Sequence, residues 1–409
     1  MASISILKKY VTDSNEALEF KLVRDVEDID DEGKIFKPVM SHQVFGENET
    51  IFGYSNLKVK LYYSAASLQT YVNIIYSQKI SPTQGEDIEA DDILQLLVPV
   101  LAPNYLTNID EFRAAVAEEK NFIPYGAQVH SFVTNKDGIE KKFEIYKCDI
   151  SDRKFVAFHA RLQTFLLWYV DGSSFIDIDD PQWTFFVVFE KYTNDLGNSA
   201  YSFAGYSTIY KYYAYPDNTR PRISQMLILP PFQKLGIGAE LLETIYNYFV
   251  PMQSVIDITV EDPSEDFQRL RDFVDCCRCS KLASFSKENL LKGFNKAMAN
   301  EAKFIHKVNP KQARRIYEIL RLKETNINDP EQYREYRLAV KQRLNWPYKK
   351  QQNDVKRLER LQRAMKPVEL AAAVQVFGSE ERMSKLSADY KALEEIYLRI
   401  IQRVENALA

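Results

Sequence analysis

Cysteine is scarce, with four residues in a chain of 409. Four cannot build a disulfide framework in a chain this long. Three of them, Cys276, Cys277 and Cys279, crowd one stretch without the second cluster that a zinc site needs. This usage fits a reducing compartment, the nucleus and cytoplasm. Histidine is as sparse: His42, His130, His159 and His306 stand far apart, so no metal site is expected. Long apolar runs are missing too. Phe165 to Val170 and Leu96 to Val100 fall far short of the ~20 residues of a membrane span, so no membrane is expected as a partner. Lys8 and Lys9 have no apolar segment after them, which predicts no secretory leader. Nor is there an excess of positive charge. Fifty-three Lys and Arg against 57 Asp and Glu leave a net charge of −4. That balance lacks the basic footprint of a duplex binder, so no direct sequence-specific nucleic-acid contact is expected. A Gly-x-Ser-x-Gly nucleophile elbow is absent as well.

What is present suits a globular protein of two or three domains: 45% hydrophobic and 27% charged residues, with tyrosine frequent at 25. Leu18–Val23 and Leu57–Tyr63 alternate like strands, and Asp87–Leu101 and Ile109–Ala117 read as helices. These compose an N-terminal α/β domain, residues 1–125. Strands dominate next: Phe143–Cys148, Arg161–Val170, Trp183–Glu190, Tyr206–Tyr215, Ile223–Leu229 and Val255–Glu261. The fold class expected is α+β, with a mixed-sheet core over residues 126–282 and a helical region over 283–409. In that last region Asn309-Pro310 and Asp329-Pro330 each place a capping residue before a helix-starting Pro. Trp346-Pro347 ends the helix that Pro330 begins. Leu386, Tyr390, Leu393, Tyr397, Ile400 and Val404 form an a/d seam of nearly three heptads, either a short coiled coil or a face packed on the same chain. Seven basic residues between Lys349 and Lys366 interleave with Leu358, Leu361 and Met365, as a solvated helix face or an import signal would.

The informative string runs from Ser224 to Glu243. It is an apolar strand, then Gln233-Lys-Leu-Gly236-Ile-Gly238, then an amphipathic helix. A glycine-bearing loop at a helix N-terminus offers backbone N–H donors to a pyrophosphate. It is not a P-loop, because Ala239-Glu240 follows Gly238. It is not a dinucleotide fingerprint either, because Leu241 stands where a third Gly or Ala is needed.

Gln-x-x-Gly-x-Gly after an apolar strand resembles the coenzyme A loop of the N-acetyltransferase superfamily. The strings Thr219–Leu229, Asp257–Ser264, Leu270–Val274 and Ala313–Leu322 are similar to those of type B histone acetyltransferase catalytic subunits, and the resemblance runs from about Leu18 to Tyr348. It implies direct transfer of acetyl from acetyl-coenzyme A to a lysine ε-amine, without an acyl-enzyme and without a metal. By that resemblance Glu261 is the general base, with Asp262 beside it and Asp171 where the family has a Glu. Met226, Leu227 and Ile228 would hold the acetyl and pantetheine arm through their backbone, with the N–H of Leu227 or Ile228 facing the oxyanion. Gln233, Lys234, Leu235, Gly236, Ile237, Gly238 and Ala239 would hold the pyrophosphate. The histone tail peptide would meet Glu47, Asn48 and Glu49, then Trp183, then Tyr210, Lys211 and Tyr212; Asn48 stands where an acidic residue is usual. A WD-repeat histone-binding chaperone is the partner the family implies. Read without it, Glu261 fits a surface turn in which Asp262 or Ser264 caps the next helix, and Cys148 fits a buried structural thiol. Another protein lysine, a small amine, or a histone escort with weak catalysis are the alternative functions.

Overall fold

The computed structural model describes residues 7–80, 89–360 and 379–408. The chain divides into two compact units, Met1–Phe249 and Val250–Ala409. The sequence reading drew three segments. Residues on either side of its first boundary, 125/126, are tied together: the Phe203 amide donates to Ala65 O at 2.7 Å, and Arg161 Nε to Ser67 O at 2.8 Å.

Unit 1 holds two main sheets and two short two-stranded ones, Val11–Asp13 with Thr50–Phe52 and Tyr54–Ser55 with Gln78–Lys79. In the smaller main sheet, β1 (Leu18–Val23) pairs in parallel with β2 (Lys58–Ser64), which pairs antiparallel with β3 (Thr70–Ile75). The alternation in β1 suggests one exposed face, yet all six of its residues are buried. The two polar ones are satisfied there. Glu19 meets Lys58 Nζ at 3.2 Å, and Lys21 Nζ donates to Asp28 O and Ile29 O at 3.0 and 2.8 Å. A parallel strand is covered on both faces, and its polar residues reach partners over the strand ends. Of the helix expected over Asp87–Leu101 only Ile93–Leu97 is observed, capped by Asp92. Residues 81–88, which include the first two of that span, lie outside the described residues. Between β2 and β1, α1 (His42–Phe45) is a single turn; α2 (Ile109–Glu118) buries Phe112 and Val116.

The larger sheet is an antiparallel meander in chain order: β4 (Ala127–Lys136), β5 (Ile139–Cys148), β6 (Trp183–Thr193), β7 (Ser199–Ala214) and β8 (Asn218–Ile228). Arg161–Val170, expected as a strand, is helical. It belongs to α3 (Arg153–Leu162), a short 3-10 turn and α4 (Leu166–Tyr169). Aromatic content suggests β, but Phe155, Phe158, Leu162, Phe165 and Trp168 recur at spacings of three and four and are all buried. Asp152 caps the start by accepting from Lys154 N at 2.8 Å. After β8 comes α5 (Ile237–Phe249), which buries Ile237, Leu241, Leu242, Ile245 and Phe249 along one side.

Unit 2 begins with a strand of two residues, Thr259–Val260, and continues as helices: α6 (Glu265–Cys279), α7 (Lys296–His306), α8 (Pro310–Glu324), α9 (Pro330–Leu344) and α10 (Ser379–Leu408). Asn309 and Asp329 cap α8 and α9 as expected. After Leu344 a further helix, Trp346–Arg360, takes Pro347 into its first turn. The seam of α10 packs back on its own chain. Tyr390, Tyr397, Ile400 and Val404 share one core with Ile316, Leu320, Tyr336 and Val340. Leu361 and Met365 of the basic stretch lie outside the described residues.

Candidate active site

The end of β8 sets the backbone geometry. A Cβ at Gly205 of β7 would land 2.5 Å from Leu227 O, so that carbonyl faces β7. Leu229 N donates to Ala204 O at 2.9 Å, and Ser207 Oγ to Gln225 O at 2.8 Å. Residues 225, 227 and 229 therefore direct their backbone groups toward β7. By the alternation of a strand, Met226 and Ile228 direct theirs to the opposite edge. Of the two oxyanion donors expected from the sequence, the Leu227 N–H is turned toward β7 and the Ile228 N–H away from β7.

Leu229-Pro-Pro-Phe232 then turns the chain, and Gln233 Nε2 donates back to Ile228 O at 2.9 Å. This side chain braces the loop against the strand. Lys234 and Gly236 both take the left-handed region, at φ of 62° and 84°. Gly236 faces open space, with nothing within 4 Å of where a Cβ would stand. The Gly236 carbonyl accepts from Ala239 N at 3.0 Å. Among the described residues the N–H groups of Leu235, Gly236, Ile237 and Gly238 have no protein acceptor. Four donors at the positive end of a helix of 13 residues form an anion cradle. Ile237 is buried and fixes the start of the helix.

A second group lies near α1. Glu49, at φ 50°, turns its carboxylate inward. Oε1 accepts from Ser41 N at 2.6 Å and His42 N at 3.1 Å, and Oε2 from Asn15 Nδ2 at 2.9 Å. The Ser41 amide, chiefly, holds the Glu49 carboxyl below the ordinary glutamate range. Glu47 and Asn48 are exposed. Asp171 follows α4, and its Oδ1 is 3.1 Å from His42 Nε2. Glu49 and Asp171, 122 residues apart in sequence, thus share a histidine. Sequence reasoning noted His42 only as one of four scattered histidines; its seven-residue distance from Glu49 was the available signal.

The aromatic residues do form a wall. Trp183 of β6 stands opposite Tyr210 of β7, with ring centroids 4.9 Å apart, and Tyr212 follows at 4.6 Å. The Arg222 guanidinium covers the Tyr212 ring at 4.7 Å. Tyr210 donates its hydroxyl to Asp180 at 2.8 Å, and that bond pushes the phenol's pKa up. Lys211 lies between the two tyrosines, so the pleat sends its side chain to the other face, apart from the wall. Cys148 is buried and donates to Tyr125 O at 3.2 Å, as a structural thiol does.

Glu261 and Asp262 belong to unit 2. They follow Thr259–Val260 in an exposed turn, with Asp262 at φ 28°. The strand before them is anchored by Ile258 N donating to Lys307 O at 2.8 Å and by Arg271 reaching Ile258 O at 3.2 Å. The cap of α6 is Ser264, whose Oγ accepts from Phe267 N at 3.2 Å; Asp262 does not cap it. Among the described residues no group of three or more His, Cys, Asp or Glu could hold a metal ion, and no helix is long and apolar enough to cross a membrane.

Comparison with known proteins shows the family. The family described as "Histone acetyl transferase HAT1 N-terminus" matches residues 10–171, and "Histone acetyltransferase type B catalytic subunit, C-terminal" matches residues 271–322. A mouse protein named "Histone acetyltransferase type B catalytic subunit" is 44% identical over 400 residues, covering 97% of this chain and 95% of its own. The chain belongs to the type B histone acetyltransferase catalytic-subunit family. A human protein of that name is likewise 44% identical, covering 97% of this chain and 94% of its own. A Dictyostelium discoideum relative is 36% identical over 345 residues, covering 81% of this chain and 68% of its own. Membership makes the chain an acetyltransferase with a mixed α and β fold.

Proposed function

We propose that this enzyme transfers acetyl from acetyl-coenzyme A directly to the ε-amine of a lysine in the amino-terminal tail of newly made histones, that of the fourth core histone first. The observation that carries the reading is the cradle of N–H donors from Leu235 to Gly238, on a loop whose left-handed residues leave it open. A pyrophosphate fits such donors, and the outward N–H of Ile228 suits the oxyanion that forms on the thioester carbon.

The chemistry sets a second demand. A free lysine has a pKa of ~10.4, so withholding its proton at neutral pH costs about 4 kcal/mol. Glu261 takes that proton in this reading, with Asp262 as its neighbour and Asp171 as a helper. Glu47 and Glu49 favour a basic tail, and Trp183 with Tyr210 and Tyr212 flank the lysine stem. A WD-repeat chaperone presents the histone, and the enzyme works in cytoplasm and nucleus, where new histones are made and imported.

Mass spectrometry of the purified chain with acetyl-coenzyme A, the four core-histone tail peptides and spermidine tests the whole reading. Acetylation confined to one or two lysines of the fourth histone's tail is expected. Acetylation of spermidine alone would move the substrate to small amines. Tight peptide binding without transfer would make the protein a histone escort.

A further inference from the structure

We propose that Asp180 is a positioning residue for the substrate tail: it holds the Tyr210 hydroxyl, and through that ring it sets the aromatic wall of Trp183, Tyr210 and Tyr212 before a peptide arrives. What the wall receives is taken from the reading above; how the wall is held rests on hydrogen bonds alone.

Tyr210 is the middle ring. It meets Trp183 at 4.9 Å with the planes 72° apart, and Tyr212 at 4.6 Å with the planes 61° apart. A rotation of Tyr210 about its first side-chain bond would break both contacts, so one ring governs three. Trp183 and Tyr210 are half-buried and Tyr212 is exposed. Packing on one side only leaves a tyrosine more than one rotamer. The hydroxyl chooses among them, because it donates to Asp180 Oδ2 at 2.8 Å. A hydrogen bond to an ionised carboxylate is one of the stronger kinds.

The acceptor is itself fixed. Asp180 Oδ1 accepts from Gln182 N at 2.9 Å, so the two oxygens of this half-buried carboxylate have separate donors. Asp180 O accepts from Trp183 N at 3.2 Å, and Gln182 O from Lys211 N at 3.1 Å. The turn at 180–183 is thereby sewn to β7 by backbone as well as by side chain. The start of the segment that leads into it is tied down too. Ser173 O accepts from Gln43 Nε2 at 2.9 Å, and Ser174 O from Gln225 Nε2 at 3.0 Å. Gln225 is buried in β8. A wall ordered in this way beforehand spares the peptide the cost of ordering it on arrival.

A carboxylate near a basic tail can also act by charge alone. The two roles separate in a double-variant cycle. A charge attracts the tail whether or not residue 210 carries a hydroxyl, whereas a brace works only through that hydroxyl.

Calorimetry of the fourth-histone tail peptide binding to the full chain tests this without turnover. Asp180→Ala should weaken peptide binding about fivefold and leave coenzyme affinity within about twofold. Tyr210→Phe keeps the ring and loses the bond, so it should weaken peptide binding to a similar extent. The double variant should be no worse than either. Asp180→Asn can still accept from Gln182 N and can donate to the hydroxyl through its amide, so it should recover most of the affinity. An unchanged affinity in Asp180→Ala, or losses that add in the double variant, would overturn the brace. Carbon-13 NMR of labelled tyrosines reads the bond in the free enzyme. The Tyr210 phenol, whose pKa the Asp180 bond pushes up, should titrate lower in Asp180→Ala. A titration indifferent to Asp180 overturns the proposal even if the enzyme acetylates histones. If the unaltered chain binds no tail peptide, the reading above fails, and the titration still decides whether Asp180 holds Tyr210.

Discussion

Glu318 of unit 2 and Glu49 of unit 1 are both carboxylates held by several donors, but they are held for different ends. Glu318 is 1% exposed and surrounded: Arg343 reaches it through Nε and Nη2 at 2.7 and 2.8 Å, Arg314 Nε at 3.1 Å and Tyr397 OH at 3.2 Å. Asp272 nearby accepts from Arg315, Gln268 and Gln312. These side chains tie α6, α8, α9 and α10 into one helical body. Glu49 keeps part of its surface in water, and its donors are mostly backbone. In unit 1 the loop of Gly236, Glu49 and the aromatic wall keep polar groups partly open. In unit 2 the network around Glu318 and Asp272 is closed off, whereas the turn at Glu261 is exposed. Open groups are available to ligands, and closed ones hold shape.

The contrast can be broken most severely at the cradle. Gly236→Asp puts a charge beside the N–H donors and strains a backbone at φ 84°, so coenzyme binding by calorimetry should vanish. Gly236→Ala is the milder control: with open space for its Cβ it should lose only about 1 kcal/mol of stability and keep most binding. In unit 2, Glu318→Ala strands two arginines. It should cost about 3 kcal/mol in urea unfolding, with coenzyme affinity unchanged in the folded fraction. A loss below about 0.5 kcal/mol would mean that the network is ornamental.

His159 sharpens the contrast from within unit 1. It is 1% exposed among Phe155, Phe185 and Tyr206, and its Nε2 has no hydrogen-bond partner among the described residues. Burial pushes its pKa down to about 4. The folded value lies below the unfolded value of ~6.5, so the unfolded chain takes up the proton first. Its share of stability is complete above pH ~6.5 and is lost as pH falls toward 4, by about 3 kcal/mol in all. His159→Phe should abolish that part of the slope between pH 7 and 4.5; an unchanged slope would place the titration elsewhere. Last, Glu261→Gln should lower turnover about 10²-fold while coenzyme binding stays normal. Near-normal turnover would remove Glu261 as the base and leave unit 2 a scaffold.

The loop after β8 was legible because its chemistry is local. Gly236 and Gly238 follow an apolar strand and precede an amphipathic helix, and all the donors come from four consecutive residues. The meander was legible from alternation, and α8 and α9 from Asn309-Pro310 and Asp329-Pro330. What sequence reasoning missed depends on contacts between distant segments. Arg161–Val170 looks like a strand until its three-and-four spacing is weighed against its aromatic content. Glu19 and Lys21 look solvent-facing until the parallel pairing covers them. Glu318 and Asp272 draw donors from neighbouring helices as well as their own, and helical spacing alone does not select the more distant ones, Arg343 and Arg315. His42 belongs to the same class, since its partner lies 129 residues away.

The order of the meander has a consequence for how the chain is made. From β4 to β8 each strand lies beside the one that precedes it in sequence. Such pairings have low contact order and close quickly. As the polypeptide leaves the ribosome, every new strand finds its template already complete and still unpaired on one side. The sheet that carries the coenzyme loop can grow by accretion, and the loop itself, encoded after β8, is the last part to receive its support.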